Sequence, residues 1–278
     1  MDRRSFLKLA AAGAATGAGA AALGAGWITL GEPNWQVLER IDVPLPRLPA
    51  RLDGLRVAQL SDLHISQYTT AGDIGRAAAL AMRQSPDLIV LTGDFIWREV
   101  WQYAEHLVEP LRSLAAPLGV YAVLGNHDHW EDAALASRVL AEAGIALLVN
   151  QALRLEVDAP LWLVGLDDVW ERKHDIRAAL AGTPDDQCKL LLVHEPDYAD
   201  RAARFPVDLQ LSGHSHGGQV NLPRLGRPVL PYLGQKYPAG LYQVESLALY
   251  TNRGIGVISP PVRFNCPPEI TLHHLRAQ

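Results

Sequence analysis

Residues 55–64 read LRVAQLSDLH, a short apolar run that closes on Asp62 and His64. A run of this length, bounded by turn-type residues, has the pattern of a strand buried on both faces. Four further runs end the same way. DLIVLTGDF (87–95) ends at Gly93-Asp94, and LGVYAVLGNHDHW (118–130) at Asn126-His127-Asp128. CKLLLVHEPD (188–197) ends at His194, and VDLQLSGHSHGG (207–218) at His214 and His216. A core strand entering an ordinary turn needs no imidazole there. In α/β proteins, sites form beyond the carboxyl ends of strands, so five such tips brought together make one pocket.

Segments of helical character lie between these runs. GDIGRAAALAMRQS (72–85) is Ala-rich and stops before Ser85-Pro86. EDAALASRVLAEAG (131–144) repeats its apolar residues near a period of 3.6 and offers Gly144 as a C-cap. HDIRAALAG (174–182) and EPDYADRAARF (195–205) are shorter candidates, and further strands are expected in 145–150, 161–168, 240–246, 247–254 and 269–275. Alternation that passes into strand-rich sequence predicts an α/β protein with mixed sheets.

The residue types at the tips suit a pair of metal ions. Asp62 and His64 are two apart, as are His214 and His216. In extended chain such pairs share a side, but where the strand turns they can also diverge to different ions. Asp94 follows a glycine and has two oxygens, enough to bridge two cations. Asn126 offers a neutral amide oxygen. Two divalent ions would outweigh the two carboxylates, and a positive cluster favours an anionic substrate such as a phosphate ester. Mixed imidazole and oxygen ligation suits Mn, Fe or Zn more than Ca or Mg.

The whole chain has 278 residues, 49% hydrophobic and 20% charged, enough for a substantial core. Net charge is -5 with no run of Lys or Arg, which disfavours a nucleic-acid-binding surface. Cys188 and Cys266 are far apart and form neither a CxxC pair nor a disulfide framework; spacing leaves their pairing open. Residues 1–31 are expected to lie outside the fold. Arg3-Arg4-Ser5-Phe6-Leu7-Lys8 followed by uncharged Ala/Gly-rich sequence resembles a twin-arginine export signal. A plain secretory signal and an uncleaved membrane anchor are the alternatives, a span needing about 20 residues. Residues 32–54, rich in Pro and charge, read as a linker and edge strand, and 55–278 as the main domain.

The ordered blocks Asp62-x-His64, Gly93-Asp94, Gly125-Asn126-His127-Asp128, His194 and Gly213-His214-Ser215-His216 resemble the signature of the calcineurin-like metallophosphoesterases. With the amino-terminal motif, the chain is similar to the exported bacterial phosphodiesterase branch. The resemblance implies a four-layer α/β/β/α sandwich of two mixed β-sheets flanked by helices. It also implies one metal on Asp62, His64, Asp94 and His216, and another on Asp94, Asn126, His194 and His214. Hydrolysis would proceed by in-line attack of a metal-bridging hydroxide. His127 is expected to serve the leaving oxygen, and Asp128 to hold the His127 ring and keep it cationic. The expected partners are a phosphate-ester substrate, such as an envelope polymer or lipid, and the twin-arginine export machinery. A pyrophosphatase acting on nucleotide-linked lipid and a non-catalytic metal-binding envelope protein are the rivals; a zinc peptidase lacks its HExxH helix.

Several residues have two readings. His129 is a surface residue or a substrate contact. Asp167 and Asp168 are turn residues or partners of a ligand histidine. Arg253 is an ion-pair residue or a phosphate contact. Tyr68, Trp97 and Trp101 fill the core or rim the pocket. Glu195 reads as a helix-start carboxylate, and His106, His174, His273 and His274 are given no role.

Overall fold

The computed structural model describes residues 2–98, 100–155 and 157–278, without the side chains of residues 6–15, 100 and 101. Among the described residues are twelve strands: β1 (Val37–Leu45), β2 (Arg56–Leu60), β3 (Leu88–Thr92), β4 (Val120–Val123), β5 (Ala146–Leu147), β6 (Gln151–Arg154), β7 (Leu161–Gly165), β8 (Cys188–Leu192), β9 (Leu209–Ser212), β10 (Gly240–Val244), β11 (Leu247–Thr251) and β12 (Glu269–Ala277). They form two six-stranded sheets, ordered β1-β12-β2-β3-β4-β5 and β10-β11-β9-β8-β7-β6. Both sheets are mixed. β2, β3, β4 and β5 run parallel, as do β7, β8, β9 and β11, while β12 is antiparallel to β2, β10 to β11 and β6 to β7.

The continuous apolar runs are explained by burial on both faces. Alternate residues of β2, β3, β8 and β9 (Val57, Leu88, Val90, Leu190, Leu192, Leu209 and Leu211) meet between the sheets. Their neighbours Ala58, Leu60, Ile89 and Leu91 face outward, against the helices Ala71–Met82 and Ala133–Glu142. Leu191 and Leu249 face the opposite way, against Ile176, Ala179, Ala199 and Ala202. This is the four-layer α/β/β/α arrangement that the family resemblance implies. Helix Ala71–Met82 starts at a capping box between Thr70 and Asp73 and buries Ile74, Ala77, Ala78 and Ala81. Their i, i+3, i+4, i+7 spacing makes one apolar stripe. Helix Ala133–Glu142 is capped by the Asp132 side chain, which accepts the Leu135 N–H at 2.9 Å.

Two details differ from the strand pattern read in the sequence. Residues 145–150 keep only the two-residue β5, and β6 is an additional edge strand whose Gln, Ala, Leu and Arg carry little strand signal. Towards the amino terminus, β1 is an edge strand paired along its length with β12. Ahead of it, Arg3–Gly26 is helical and runs into a wider turn, Trp27–Gly31. Among the described residues no helix is both long and apolar enough to cross a membrane.

Candidate metal centre

β2, β3 and β4 are neighbours in one sheet, and β8 and β9 in the other. Their carboxyl ends face each other across the sandwich. Just past those ends the backbone is left-handed at Asp62 (φ 49°), His64 (43°), Asp94 (58°), His214 (70°) and His216 (51°). None of these is glycine, and the region costs an L-residue about 1–2 kcal/mol. Such strain persists only where the surroundings over-determine it, and it concentrates at functional sites.

The restraints are visible. Asp62 donates its N–H to the Gly93 carbonyl (2.9 Å), His64 to that of Asp94 (3.0 Å), and Gly256 donates to the Asp62 carbonyl (2.7 Å). Both oxygens of Asp62 accept the His214 N–H, at 3.0 and 3.1 Å, so the first and last motifs are tied directly. Glycine is required at two crossings. A Cβ on Gly93, whose φ is 90°, would sit 2.6 Å from His194 Nδ1 and 2.8 Å from the Gly125 nitrogen. One on Gly213 would overlap Ser61 Oγ and Asp62 Oδ2.

Two groups of ligand-type atoms result. Asp62, His64 and His216 converge with their donor atoms within 4.8 Å of one another, and so do Asp94, His194 and His214. The histidine doublet is thus split, one imidazole to each group. Asp94 joins them: its Oδ2 lies 3.4 Å from His64 Nε2 and 3.0 Å from His194 Nε2. His64 Nε2 and His216 Nε2 are 3.0 Å apart, with Asp62 Oδ1 3.3 Å from the latter. Ring orientation is fixed from behind. His194 Nδ1 is 2.6 Å from the Thr92 carbonyl and so carries the proton, which leaves Nε2 facing Asp94. His214 Nε2 donates to the Tyr232 carbonyl at 2.7 Å, leaving Nδ1 with its lone pair.

Asn126 is buried at the start of helix Asn126–Glu131, and its Oδ1 accepts no hydrogen bond among the described residues. An orphaned amide oxygen on the residue between Gly125 and His127, both of which abut Asp94, together with the imidazole and carboxylate clusters, fits a pair of divalent cations.

Burial dominates the electrostatics. It pushes Asp62 up to about 7 and His64 and His214 each down to about 3, in every case away from the charged form. Asp94 behaves differently. Burial opposes its charge, yet His194, His127 and His64 hold it well below the usual carboxylate range. His194 is raised in turn, against its own burial, by Asp94 and Asp62.

One sequence expectation needs correction. Asp128 does not hold the His127 ring. Its Oδ2 accepts the N–H groups of Asp94 (2.9 Å) and Gly125 (3.0 Å), and its Oδ1 those of Phe95 (2.9 Å) and Ile96 (3.2 Å). The carboxylate therefore clamps the Asp94 loop. His127 is also not held cationic: burial lowers its pKa, and Asp94 and Glu131 offset this only in part. His127 is placed by its backbone N–H, which donates to Asp94 Oδ1 at 2.9 Å. Its ring packs edge-on between His64 (4.9 Å) and Trp130 (4.8 Å).

The remaining alternatives resolve individually. His129 pairs with Asp167 at 2.6 Å. Asp168 caps a turn by accepting the Glu171 N–H. Arg253 is ion-paired with Glu269 and Glu39. Trp97 is buried with its ring 6.4 Å from His64, and Tyr68 stands outside it; the Trp101 side chain lies outside the described residues. Glu195 accepts the N–H groups of Val169 and Trp170. His106 is exposed, His174 lies against Arg201, His273 bonds Gln59 and His274 stands near Asp42. Cys188 and Cys266 are both buried and free.

Two contributors had no local signal in the sequence. Trp170 packs edge-on against His214 (5.5 Å) and Tyr232 (5.4 Å), walling one flank. Arg263 is fully buried and donates to the carbonyls of Arg253, Gly254, Gly256 and Cys266, fixing the loop that covers Asp62.

Two layered sheets with paired ligand clusters at their strand tips define an α/β sandwich with a candidate two-metal site. Residues 55–218 match the calcineurin-like phosphoesterase model, and the chain belongs to that family. It is 36% identical to the uncharacterized metallophosphoesterase YkuE of Bacillus subtilis, covering 100% of this chain and 98% of the relative. It is 34% identical to the phosphodiesterase YaeI of Escherichia coli, covering 99% of each. Identity to the UDP-2,3-diacylglucosamine pyrophosphatase LpxG of Chlamydia trachomatis is 30%, over 88% of this chain and 91% of that one. By class the chain is a metal-dependent phosphoric ester hydrolase.

Proposed function

We propose that the chain is an exported phosphodiesterase working with two divalent cations. Asp62, His64, Asp94 and His216 would hold one, and Asp94, Asn126, His194 and His214 the other. The observation that carries this reading is the position of Asp94 Oδ2, within 3.4 Å of a ring nitrogen from each group. When bound, such a pair supplies Lewis acidity towards phosphoryl oxygens and makes hydroxide available near neutral pH.

The chain supplies the rest. Asp128 holds the Asp94 loop in register with Gly125. The backbone of His127 is tied to Asp94, so its ring stands at the edge of the cluster without being needed to hold it. We assign that ring a hydrogen bond to the leaving oxygen. The test is hydrolysis of bis(p-nitrophenyl) phosphate against p-nitrophenyl phosphate with Mn, Fe or Zn. The diester should turn over faster. Metal-loaded protein that hydrolyses neither would favour a binding protein of the envelope.

A second reading, cleavage of a diphosphate in a nucleotide-linked lipid, draws support from the relatives named as UDP-2,3-diacylglucosamine pyrophosphatases. It uses the same ligands. Faster turnover of such a diphosphate than of any diester would select it. Export rests on Arg3-Arg4 and the uncharged stretch that follows. It would put the enzyme in the periplasm, the cell wall or at the outer face of the cytoplasmic membrane. Replacing both arginines with lysine should retain the protein in the cytoplasm.

A further inference from the structure

A cavity of about 350 Å³ opens beside the two ligand groups, and His214 and His216 form part of its wall. Most of the rest of its lining is apolar, and includes Val220, Val229, Leu230, Ile258, Pro260 and Val262. A pocket for a sugar, nucleotide or peptide would present convergent polar groups for orientation. Here the polar groups available, apart from serine and glutamine, are the imidazoles of the cluster itself. Whatever fills the cavity is therefore held by hydrocarbon contact at one end and meets the cluster at the other.

Large apolar side chains also face outward at the rim, with Arg224 exposed among them. Leu225 is 81% exposed, Val229 73% and Tyr232 61%, all on the segment that forms one side of the cavity. That segment is zipped to the opposite side by the Asn221 N–H on the Phe264 carbonyl (2.8 Å) and the Phe264 N–H on the Gln219 carbonyl (2.9 Å). The same strip holds the end of the amino-terminal helix, because Arg263 donates its N–H to the Ile28 carbonyl (2.9 Å). Trp27 and Trp35 share a cleft with Pro223 and Phe264, and Leu30 beside them is 73% exposed. Large apolar side chains thus continue from the cavity mouth to the amino-terminal segment. An exposed apolar rim continuous with an apolar cavity suits a substrate drawn from a lipid surface.

We infer that this cavity is a subsite for the hydrocarbon chain of a lipid phosphoester, with the phosphate delivered to His214 and His216. The inference rests on the phosphoesterase reading and specifies the substrate class of that site. It is tested with p-nitrophenyl alkyl phosphodiesters from methyl to dodecyl, kept below their micellar concentrations. Calorimetric binding of dodecyl phosphate and methyl phosphate is measured alongside. In the wild type kcat/KM should climb with chain length, by up to about fourfold for each methylene buried, then level off. Val262→Trp, which fills the cavity, and Val229→Asp, which charges its mouth, should abolish that climb. Both should leave turnover of the methyl ester within about twofold, because neither side chain is a metal ligand or part of the proposed catalytic set.

A flat chain-length profile with active enzyme, and equal binding of the two phosphates, overturns the subsite while leaving the phosphodiesterase reading intact. Chain-length-dependent binding that Val262→Trp removes, without hydrolysis of any ester, supports the subsite and sinks the phosphodiesterase reading instead.

Discussion

The Asp128 carboxylate accepts the backbone N–H of Asp94 at 2.9 Å, and its two oxygens take four N–H groups from two strand ends. A residue next to the proposed catalytic histidine thus acts on the shared ligand rather than on that histidine. Asp128→Asn keeps one acceptor and turns an amide towards N–H donors. Hydrogen bonds to charged groups are worth about 1.5–3 kcal/mol each, so the variant should lose about 2–4 kcal/mol of stability. Metal affinity should fall with it. Urea unfolding together with metal analysis checks both; normal metal content with only an altered pH profile of turnover would restore the expected Asp128–His127 pairing.

His127 and Asp94 should separate chemistry from metal retention. The contact of His127 with Asp94 is made by its backbone, so His127→Ala keeps it. Turnover should fall by about 10²–10⁴-fold with metal content unchanged. Asp94→Ala removes the oxygen between the two groups, and both ions should be lost. Its activity loss should exceed the about 10–100-fold typical of residues that only orient a ligand. Element analysis of the two purified variants gives the answer, and a metal-free His127→Ala protein would contradict the assignment.

Arg263 bridges four carbonyls from inside the core. Lysine keeps the charge but lacks the planar fork. Arg263→Lys leaves carbonyls unsatisfied at about 1–3 kcal/mol each, so a loss of about 2–4 kcal/mol is expected after relaxation. Thermal unfolding measures it. A change below about 0.5 kcal/mol would mean that the covering loop holds itself.

The His129–Asp167 pair predicts a pH dependence. His129 is raised above 6.5, chiefly by its hydrogen bond to Asp167. Its contribution is complete below 6.5 and is lost as pH rises through the higher folded value. Asp167 is lowered below 3.8: burial opposes this, but the hydrogen bond from His129, that from the Asp168 N–H and the nearby charges of His129 and Lys173 together outweigh it. Its contribution is present above 3.8 and is lost as pH falls through the lower folded value. The pair therefore stabilises most between pH 3.8 and 6.5 and weakens through neutrality. The difference in unfolding temperature between wild type and His129→Gln should shrink across that upper limit; a constant difference from pH 5 to 9 would refute it.

The apolar runs and the residues at their ends are local patterns, so the chain by itself determined the buried strands, the flanking helices and the chemistry gathered at five tips. Period and side-chain type are enough for that, because burial on two faces demands apolar residues at every position. Tertiary structure alone decided the rest. The split of His214 from His216, which spacing left open and the family resemblance implied, is made by left-handed turns and by Asp62 reaching across to the His214 N–H. The work of Asp128 depends on which N–H groups the neighbouring strand brings within reach, and a carboxylate's neighbours in sequence do not reveal that. Arg263, Trp170 and the apolar cavity follow the same logic. Each draws its partners from segments remote in sequence, and only packing decides which unsatisfied carbonyl, ring face or gap a side chain meets.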